Sequence, residues 1–313
     1  MGSRRDRRRA ALRPSRRQNP RVTDLAAAVE RVWPARSTRY EILGGGITNH
    51  NVKVELDGNA YVLRIAGKDT ELLGIDRQVE FEATEAAAGL DVGPEVVRFV
   101  EPEGWLVTRF IAGSEIPVER MREPENLERV AHALIAVHAA GPVSGSFDSF
   151  RVVEHYVETA LARGAREPSQ YAWAHALAER IEAARSGADR CLCHNDLLNA
   201  NFIDDGERIR IVDWEYAGMG DRFFDLANFA INHELDEHAR SALLEAYFGV
   251  DREEESRALE LMRFMSDFRE AMWGVVQTAV SALDFDFAGY ADEHFERLER
   301  TAAEPAFLAA LAG

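Results

Sequence analysis

The sequence predicts an α+β protein of two lobes, a small β-rich N-terminal lobe followed by a larger, mostly helical C-terminal lobe. Short runs rich in β-branched and aromatic residues, separated by turn signals, dominate up to about residue 110. Beyond that point apolar residues recur mainly at helical spacing. We therefore predict a disordered basic tail at 1–21, an N-terminal lobe at 22–110 and a C-terminal lobe at 111–313.

The N-terminal lobe is predicted to contain two helices and two groups of strands. The hairpin signal Asp57-Gly58 joins the second and third strands. Gly93-Pro94 ends the second helix, because proline cannot continue a helical ladder. The predicted strands cover 40–43, 51–56, 60–65, 96–100 and 105–108, and the predicted helices cover 23–32 and 75–90.

A glycine-rich turn between the first two strands predicts a flap that covers a nucleotide. Glycines let backbone N–H groups approach a phosphate without a Cβ in the way. We therefore expect phosphate contacts from Gly44, Gly45, Gly46, Thr48 and Asn49.

The third strand carries Arg64, which we predict to bind the nucleotide phosphates. Its planar guanidinium can meet two phosphate oxygens at once. The following helix supplies Glu80 as the expected ion-pair partner of Arg64, with Glu82 as the second choice.

The C-terminal lobe follows a predicted hinge at 109–113, and its strongest chemical signal is H-x-D-x-x-x-x-N from His194 to Asn201. A turn at 204–206 then leads to a β run that ends at Asp213. In phosphoryl transfer, an Asp accepts the hydroxyl proton while an Asn and a second Asp hold Mg²⁺ against the nucleotide triphosphate. We predict Asp196 as the base and Asn201 and Asp213 as ligands of Mg²⁺. The main predicted helices of this lobe cover 125–140, 150–163, 172–184 and 257–283.

Charge distribution favours a small cationic substrate. Residues 1–21 contain nine Arg and one Asp, so the net charge of −17 for the chain corresponds to −25 for residues 22–313. Such a surface repels nucleic acid and favours cationic small molecules. No apolar run reaches the roughly 18 residues of a membrane span, so we expect no stable membrane insertion. Only two cysteines occur, which fits a reducing cytoplasm. The oligomeric state is not predicted.

The long helix at 257–283 carries a stripe that suits a small cation. Asp267, Glu270 and Trp273 follow one another at helical spacing. A carboxylate supplies charge, and an indole face attracts an alkylammonium. The alternative is a Trp half-buried between helices with solvated acids beside it.

Together these motifs resemble the choline/ethanolamine kinase family, within the aminoglycoside-phosphotransferase-like small-molecule kinases. The resemblance implies a two-lobed, protein-kinase-like fold and transfer of the γ-phosphoryl group of ATP to a small amino alcohol, choline or ethanolamine. Two alternatives stay open, a phosphotransferase for aminoglycosides, thiamine or amino sugars and a non-catalytic nucleotide-binding regulatory module. The matching segments are 45–49, Arg64, 90–94, 194–201, 213–216, 224–228 and 273–277.

The resemblance also implies roles for residues outside the catalytic motif. Glu215 is expected near the metal or the substrate, and the backbone around Arg109 and Ile111 is expected to bind adenine. His194 is similar to a residue that packs and hydrogen-bonds the catalytic loop, and Asp225 is similar to a buried anchor of that loop.

The substrate pocket implied by the resemblance has aromatic walls. Trp273 and Tyr290 stand where two of the family's aromatic residues fall, whereas Glu270 stands where another Trp is expected. A carboxylate at that position weakens the case for a cage around a quaternary ammonium. Ethanolamine therefore competes with choline as the expected substrate.

Overall fold

The structure is a computed structural model that describes residues 22–44, 49–249 and 253–313. The predicted tail at 1–21 and the predicted phosphate-binding residues Gly45, Gly46 and Thr48 lie outside the described residues. The described residues form two compact units. The first contains the described residues up to Thr70, together with Val96–Phe110 and Ser281–Asp286, and the second contains Glu71–Glu95, Ile111–Val280 and Phe287–Gly313.

The predicted domain boundary near residue 110 stays a prediction. By its contacts, the segment Glu71–Glu95, which contains the second helix, groups with the second unit.

The first unit is built on an antiparallel sheet in the strand order β1-β2-β3-β5-β4. The hairpin predicted at Asp57-Gly58 is confirmed, because it joins β2 to β3 with Leu56 paired to Asn59. Both turn residues have positive φ, 52° and 78°, as a two-residue type I′ turn requires. The elements are α1 (Val22–Val32), β1 (Arg39–Ile42), β2 (Asn49–Leu56), β3 (Asn59–Ala66), β4 (Val96–Val100) and β5 (Trp105–Arg109).

A small apolar core joins α1 to one face of this sheet. Because strand side chains alternate between faces, Val52 and Val54 of β2 both point to the buried side. Leu25 and Val29 of α1 pack against them together with Leu63 of β3. This burial holds the strand that carries Arg64 in register with its neighbours.

The second unit is mostly helical and is organised around α9 (Glu253–Val280), a helix of 28 residues and therefore about 42 Å long. Residues 258–277 of α9 are buried on every side. Polar side chains in such a helix need partners, because burying an unpaired charge is costly. The other helices are α2 (Arg77–Gly89), α3 (Val118–Met121), α4 (Pro124–His138), α5 (Ser149–Ala162), α6 (Tyr171–Ala184), α7 (Arg222–Asn232), α8 (Glu237–Phe248), α10 (Phe287–Ala303) and α11 (Pro305–Ala312).

Two short antiparallel sheets position the polar motifs of the second unit. The first pairs β7 (Arg190–Cys193) with β10 (Gly218–Asp221), and the second has the order β6-β8-β9. The turn predicted at 204–206 is confirmed, because Asp204 pairs with Ile209 across it. Loop 194–201 therefore joins β7 to β8, and segment 212–217 joins β9 to β10. The remaining strands are β6 (Ser114–Glu115), β8 (Phe202–Asp204) and β9 (Ile209–Ile211).

Within the described residues, no helix combines the length and the apolar character that crossing a bilayer requires.

Candidate active site

A buried carboxylate holds the backbone of loop 194–201. Asp225, on α7, is 0% exposed. Its two oxygens accept hydrogen bonds from the backbone N–H groups of His194 at 2.8 Å and Asn195 at 2.7 Å. Nε2 of His138 donates to the same carboxylate at 3.0 Å. These bonds confirm the prediction that Asp225 anchors the loop.

Two residues of the motif adopt the left-handed backbone conformation. Asn195 has φ +65° and Asp213 has φ +71°. This region is uncommon outside glycine, although Asn and Asp tolerate it best. The side chain of Asn195 donates to the carbonyl of Tyr216 at 3.0 Å, which helps to hold the conformation. Such backbone strain persists where surrounding contacts impose it, and it is concentrated at active sites.

Both ring nitrogens of His194 are engaged. Nε2 donates to the carbonyl of Val212 at 3.0 Å, and Nδ1 accepts from the backbone N–H of Asp196 at 3.2 Å. The ring also meets Trp214 edge-on at 4.6 Å. Because one nitrogen donates and the other accepts, neither is free for acid–base chemistry. The predicted packing and hydrogen-bonding role of His194 is confirmed.

Hydrogen bonds place the predicted base and the two predicted metal ligands close to one another. Nδ2 of Asn201 donates to the carbonyl of Asp196 at 2.8 Å, so its Oδ1 is the atom that can bind a cation. The backbone N–H of Val212 donates to the carbonyl of Asn201 at 2.9 Å. Asp213 is the next residue, and it therefore lies beside Asn201 although 12 positions separate them in the chain.

The donor set fits the predicted Mg²⁺. Asn201 offers an amide oxygen and Asp213 a carboxylate, and Mg²⁺ prefers hard oxygen ligands of this kind. A Mg²⁺ ion bound to nucleotide phosphates commonly uses one or two protein carboxylates and leaves its other positions to phosphate and water. Asn201 and Asp213 as metal ligands remain a prediction that this chemistry supports.

The catalytic loop is also tied to α7 and α9. The backbone N–H of Leu197 donates to Oδ1 of Asn228 at 2.6 Å, and Nδ2 of Asn228 donates to the hydroxyl of Ser266 at 3.1 Å. Asp196 therefore sits on a backbone held from two helices. Rigid placement of this kind suits a residue that must meet a reacting hydroxyl.

The environment of Asp196 makes it a stronger base than an exposed carboxylate. Its pKa is raised to about 8, mainly by burial; the charge of Arg269 opposes the shift, and the charges of Glu270, Asp213 and Glu215 add to it. A general base works best when its pKa lies near the operating pH. The raised pKa therefore suits the proton-accepting role predicted for Asp196.

Sequence reasoning missed Arg269, a charged neighbour of the predicted base. Its side chain is 1% exposed, and Nη1 lies 3.4 Å from Oδ1 of Asp196. The same nitrogen donates to Oε1 of Glu270, and the guanidinium lies 4.4 Å from the ring centre of Tyr216. A signal existed, because Arg269 lies four residues before Trp273 and shares its helix face.

The structure brings the predicted aromatic residues together around Glu270. The hydroxyl of Tyr290 donates to Oε2 of Glu270 at 2.7 Å, and the rings of Trp273 and Tyr290 lie 5.4 Å apart. Nε1 of Trp273 donates to the hydroxyl of Tyr216 at 2.9 Å. Tyr216 is therefore a wall of this cluster that sequence reasoning did not identify, although it directly follows Glu215.

The carboxylates of the α9 stripe are buried rather than solvated, so the alternative with exposed acids is wrong. Glu270 is 2% exposed and Asp267 is 0% exposed. Burial tends to raise the pKa of Glu270, but the charges of Arg269 and His294 and the hydrogen bonds from Tyr290 and Arg269 keep it below its ordinary value.

Asp267 is engaged by partners on α10. Its Oδ1 accepts from Nε of Arg297 at 2.6 Å and lies 3.2 Å from Nδ1 of His294. A direct contact of Asp267 with substrate stays a prediction, which this ion pair does not favour.

Glu215 and Glu80 both contact the guanidinium of Arg77, a residue that the sequence motifs did not include. Nη1 of Arg77 lies 2.6 Å from Glu80 and 3.3 Å from Glu215. Helical spacing places Arg77 one turn before Glu80, so this pair was detectable in the sequence. The expected pairing of Glu80 with Arg64 stays a prediction.

Apart from Glu80 on α2, the described residues of the predicted nucleotide site lie on the strands of the first unit or directly after them. Among the described residues, nothing lies within 4 Å of the position that a Cβ would take on Gly44. Asn49 begins β2 and is buried, Arg64 lies on β3, and the guanidinium of Arg109 lies 4.8 Å from the ring centre of Tyr61. Ile111 follows β5. Their contacts with a nucleotide stay predictions.

Known proteins share the fold of this chain and match most of its sequence. Residues 39–260 match the family described as "Phosphotransferase enzyme family". The crystal structure of a choline/ethanolamine kinase family protein from Mesorhizobium loti is 30% identical, with a TM-score of 0.79 over 93% of this chain and 98% of that chain. This likeness confirms the predicted α+β fold with an N-terminal antiparallel sheet and a mostly helical C-terminal part.

Two curated relatives match over most of the chain. Ethanolamine kinase 2 of Homo sapiens is 27% identical over 85% of this chain and 76% of its own length. Protein LicA of Haemophilus influenzae is 30% identical over 65% of this chain and 61% of its own length.

Proposed function

This chain belongs to the choline/ethanolamine kinase family of phosphotransferase enzymes, and from that premise we propose that it transfers the γ-phosphoryl group of ATP to a small cationic amino alcohol, choline or ethanolamine. The observation that carries the proposal is the contact path from the base to the aromatic cluster. Arg269 contacts both Asp196 and Glu270, and Glu270 accepts a hydrogen bond from Tyr290. One guanidinium therefore separates the base from a carboxylate with aromatic neighbours. A molecule whose hydroxyl and ammonium are close together suits this spacing.

In the proposed reaction, Asp196 accepts the proton of the substrate hydroxyl at Oδ2, since Arg269 contacts Oδ1. The hydroxyl oxygen forms a bond to the γ-phosphorus while the bond between that phosphorus and the bridging oxygen breaks. ADP leaves with the electron pair of the broken bond.

Asn201 and Asp213 would hold Mg²⁺, which neutralises charge on the phosphates when it is bound. In the same proposal, Gly44, Asn49 and Arg64 contact phosphate, as do Gly45, Gly46 and Thr48. The backbone near Arg109 and Ile111 contacts adenine.

A coupled assay of ADP release tests the proposed substrate. The panel contains choline, ethanolamine, the two N-methylated intermediates, thiamine and an aminoglycoside, each with Mg²⁺ and ATP. We expect the highest kcat/KM with one of the simple amino alcohols. A clear preference for thiamine or the aminoglycoside would contradict the substrate class and leave phosphoryl transfer standing, whereas nucleotide binding without transfer to any acceptor would favour the regulatory module.

Replacing Trp273 with Ala is expected to lower kcat/KM for the preferred amino alcohol about tenfold or more, because a desolvated cation–π contact is worth roughly 1–2 kcal/mol. Trp173→Ala is the matched control, since Trp173 lies on α6 and is 39% exposed. That variant should keep kcat/KM within about twofold, as surface substitutions usually have small effects. Equal losses in both variants would remove Trp273 from the pocket.

Replacing Arg64 with Ala is expected to raise KM for ATP and to lower kcat. Arg64→Lys should recover part of the loss, because it keeps a positive charge without the planar fork. Steady-state kinetics with varied ATP measure both constants. Unchanged constants in the Ala variant would mean that Arg64 does not contact the phosphates.

A further inference from the structure

We propose that Arg269 is a specificity-determining residue, an internal cation that restricts the acceptor to a single positive charge. The inference rests on the proposed function, because it concerns the ammonium subsite beside Asp196. It restricts the amino-alcohol acceptors to those that carry one positive charge, and it assigns that restriction to Arg269.

The first argument is the charge of the buried cluster formed by Asp196, Arg269 and Glu270, called here the acceptor triad. The three side chains are 13%, 1% and 3% exposed. With Asp196 ionised, as it must be to accept the hydroxyl proton, two carboxylates and one guanidinium leave the triad with one uncompensated negative charge. Away from water, an uncompensated charge is costly and attracts a single opposite charge strongly. One ammonium group balances the triad, whereas a second would be left without a partner.

The second argument is the geometry of Arg269. An arginine buried for purely structural reasons normally satisfies most of its donors. Only Nη1 of Arg269 contacts carboxylates, while Nε and Nη2 have no hydrogen-bond partner within the described part of the chain. The guanidinium instead stacks on Tyr216 at 4.4 Å. Arg269 thus makes the contacts expected of a bound organic cation, a carboxylate on one side and an aromatic face on another.

The aromatic rings near the acceptor triad contact different groups. Tyr216 is covered by the internal guanidinium, and it is fixed by the hydrogen bond from Trp273. Trp273 and Tyr290, whose rings meet at 67°, form an aromatic pair beside Glu270. This pair offers aromatic contact to a further cation.

Two neighbouring carboxylates already contact positive side chains. Asp267 is paired with Arg297, and Glu215 contacts Arg77, which it shares with Glu80. Asp213 is the proposed ligand of Mg²⁺. An acceptor ammonium must therefore balance the net negative charge of the acceptor triad.

The test compares two acceptors that differ in the number of ammonium groups. Ethanolamine carries one positive charge at neutral pH beside a primary hydroxyl, and 1,3-diamino-2-propanol carries two beside a secondary hydroxyl, a difference that cancels when the variants are compared with the wild type. The measured quantity is the ratio of kcat/KM for ethanolamine to kcat/KM for the diamine at pH 7. A ratio is informative even when a variant is slow, because a general loss of activity lowers both constants.

Four variants set the net charge of the triad to known values. R269K keeps the net charge at −1, R269Q makes it −2, E270Q makes it zero, and R269Q combined with E270Q restores −1. We expect the wild type and R269K to prefer ethanolamine. R269Q should shift the ratio toward the diamine by about tenfold or more, and E270Q should shift it away from the diamine by a similar factor. The double variant should return to the wild-type ratio within about threefold.

Thermal unfolding of each variant identifies any that does not fold. If R269Q fails to fold, E270Q still tests the proposal, because it changes the net charge of the triad in the opposite direction. Ratios that stay within twofold of wild type in the folded single variants, or a wild type that prefers the diamine, would overturn the role of Arg269 while the kinase assignment stands. A wild type that phosphorylates neither these acceptors nor choline would instead count against the proposed function.

Discussion

Replacing Asp196 with Asn is expected to abolish turnover while leaving nucleotide binding largely intact. The variant keeps the shape of the side chain but cannot accept the hydroxyl proton, and loss of a general base typically lowers kcat by about 10²–10⁴-fold. Its backbone contacts, to His194 and Asn201, do not involve the carboxylate and should remain. Stopped-time measurement of ADP release gives kcat, and calorimetric titration with Mg·ATP gives the affinity.

Asp204→Asn is a matched control for this prediction. Asp204 is also a partly buried aspartate paired with an arginine, Arg129, at 2.7 Å, but it lies at the β8–β9 turn. Its replacement should leave kcat within a few-fold of wild type. Activity of Asp196→Asn at the level of this control would remove Asp196 from the role of base.

Replacing Asp213 with Asn is expected to remove most of the Mg²⁺-dependent part of the affinity for ATP. The affinity in Mg²⁺ should fall about tenfold or more, because the carboxylate is the charged ligand proposed for the ion. The affinity in excess EDTA should stay near that of wild type. Asn is preferred to Ala here because Asp213 has φ +71°, a conformation that Asn tolerates and Ala does not.

Two calorimetric titrations per protein, one with Mg²⁺ and one with EDTA, separate these effects. A variant that binds ATP equally well in Mg²⁺ would show that the metal lies elsewhere. Equal losses in Mg²⁺ and EDTA would indicate a distorted loop instead, and thermal unfolding would then be expected to show a lower Tm.

The predicted catalytic motif could be recognised in the sequence because its parts are close together in the chain. Asp196 and Asn201 share one loop, and a turn signal at 204–206 predicts the hairpin that returns the chain to Asp213. Hairpin signals such as Asp57-Gly58 are similarly local, since two residues with positive φ suffice to set the register of the flanking strands. The family motifs added Asp225, whose anchoring bonds span 31 residues.

The charge partners of the site were decided only by tertiary structure. Spacing along α9 placed Glu270 and Trp273 on one face, but it could not show that Arg269 reaches Asp196 across 73 positions. The same holds for Arg77 and Glu215, which are 138 positions apart. A periodic pattern identifies the face of a helix, whereas the pairing of buried charges depends on which helices and loops pack together.

By itself, therefore, the sequence determined the α+β fold class and the family, and it predicted the residues of phosphoryl transfer, because strands, hairpins and the catalytic loop depend on local spacing. The tertiary structure decided the electrostatics around Asp196 and the α9 stripe. It buried Asp267 and Glu270 against Arg297 and Arg269, so that an apparently acidic stripe became a nearly balanced one. Burial removes the water that would otherwise screen each charge, and the nearest opposite charge then determines what each carboxylate can bind.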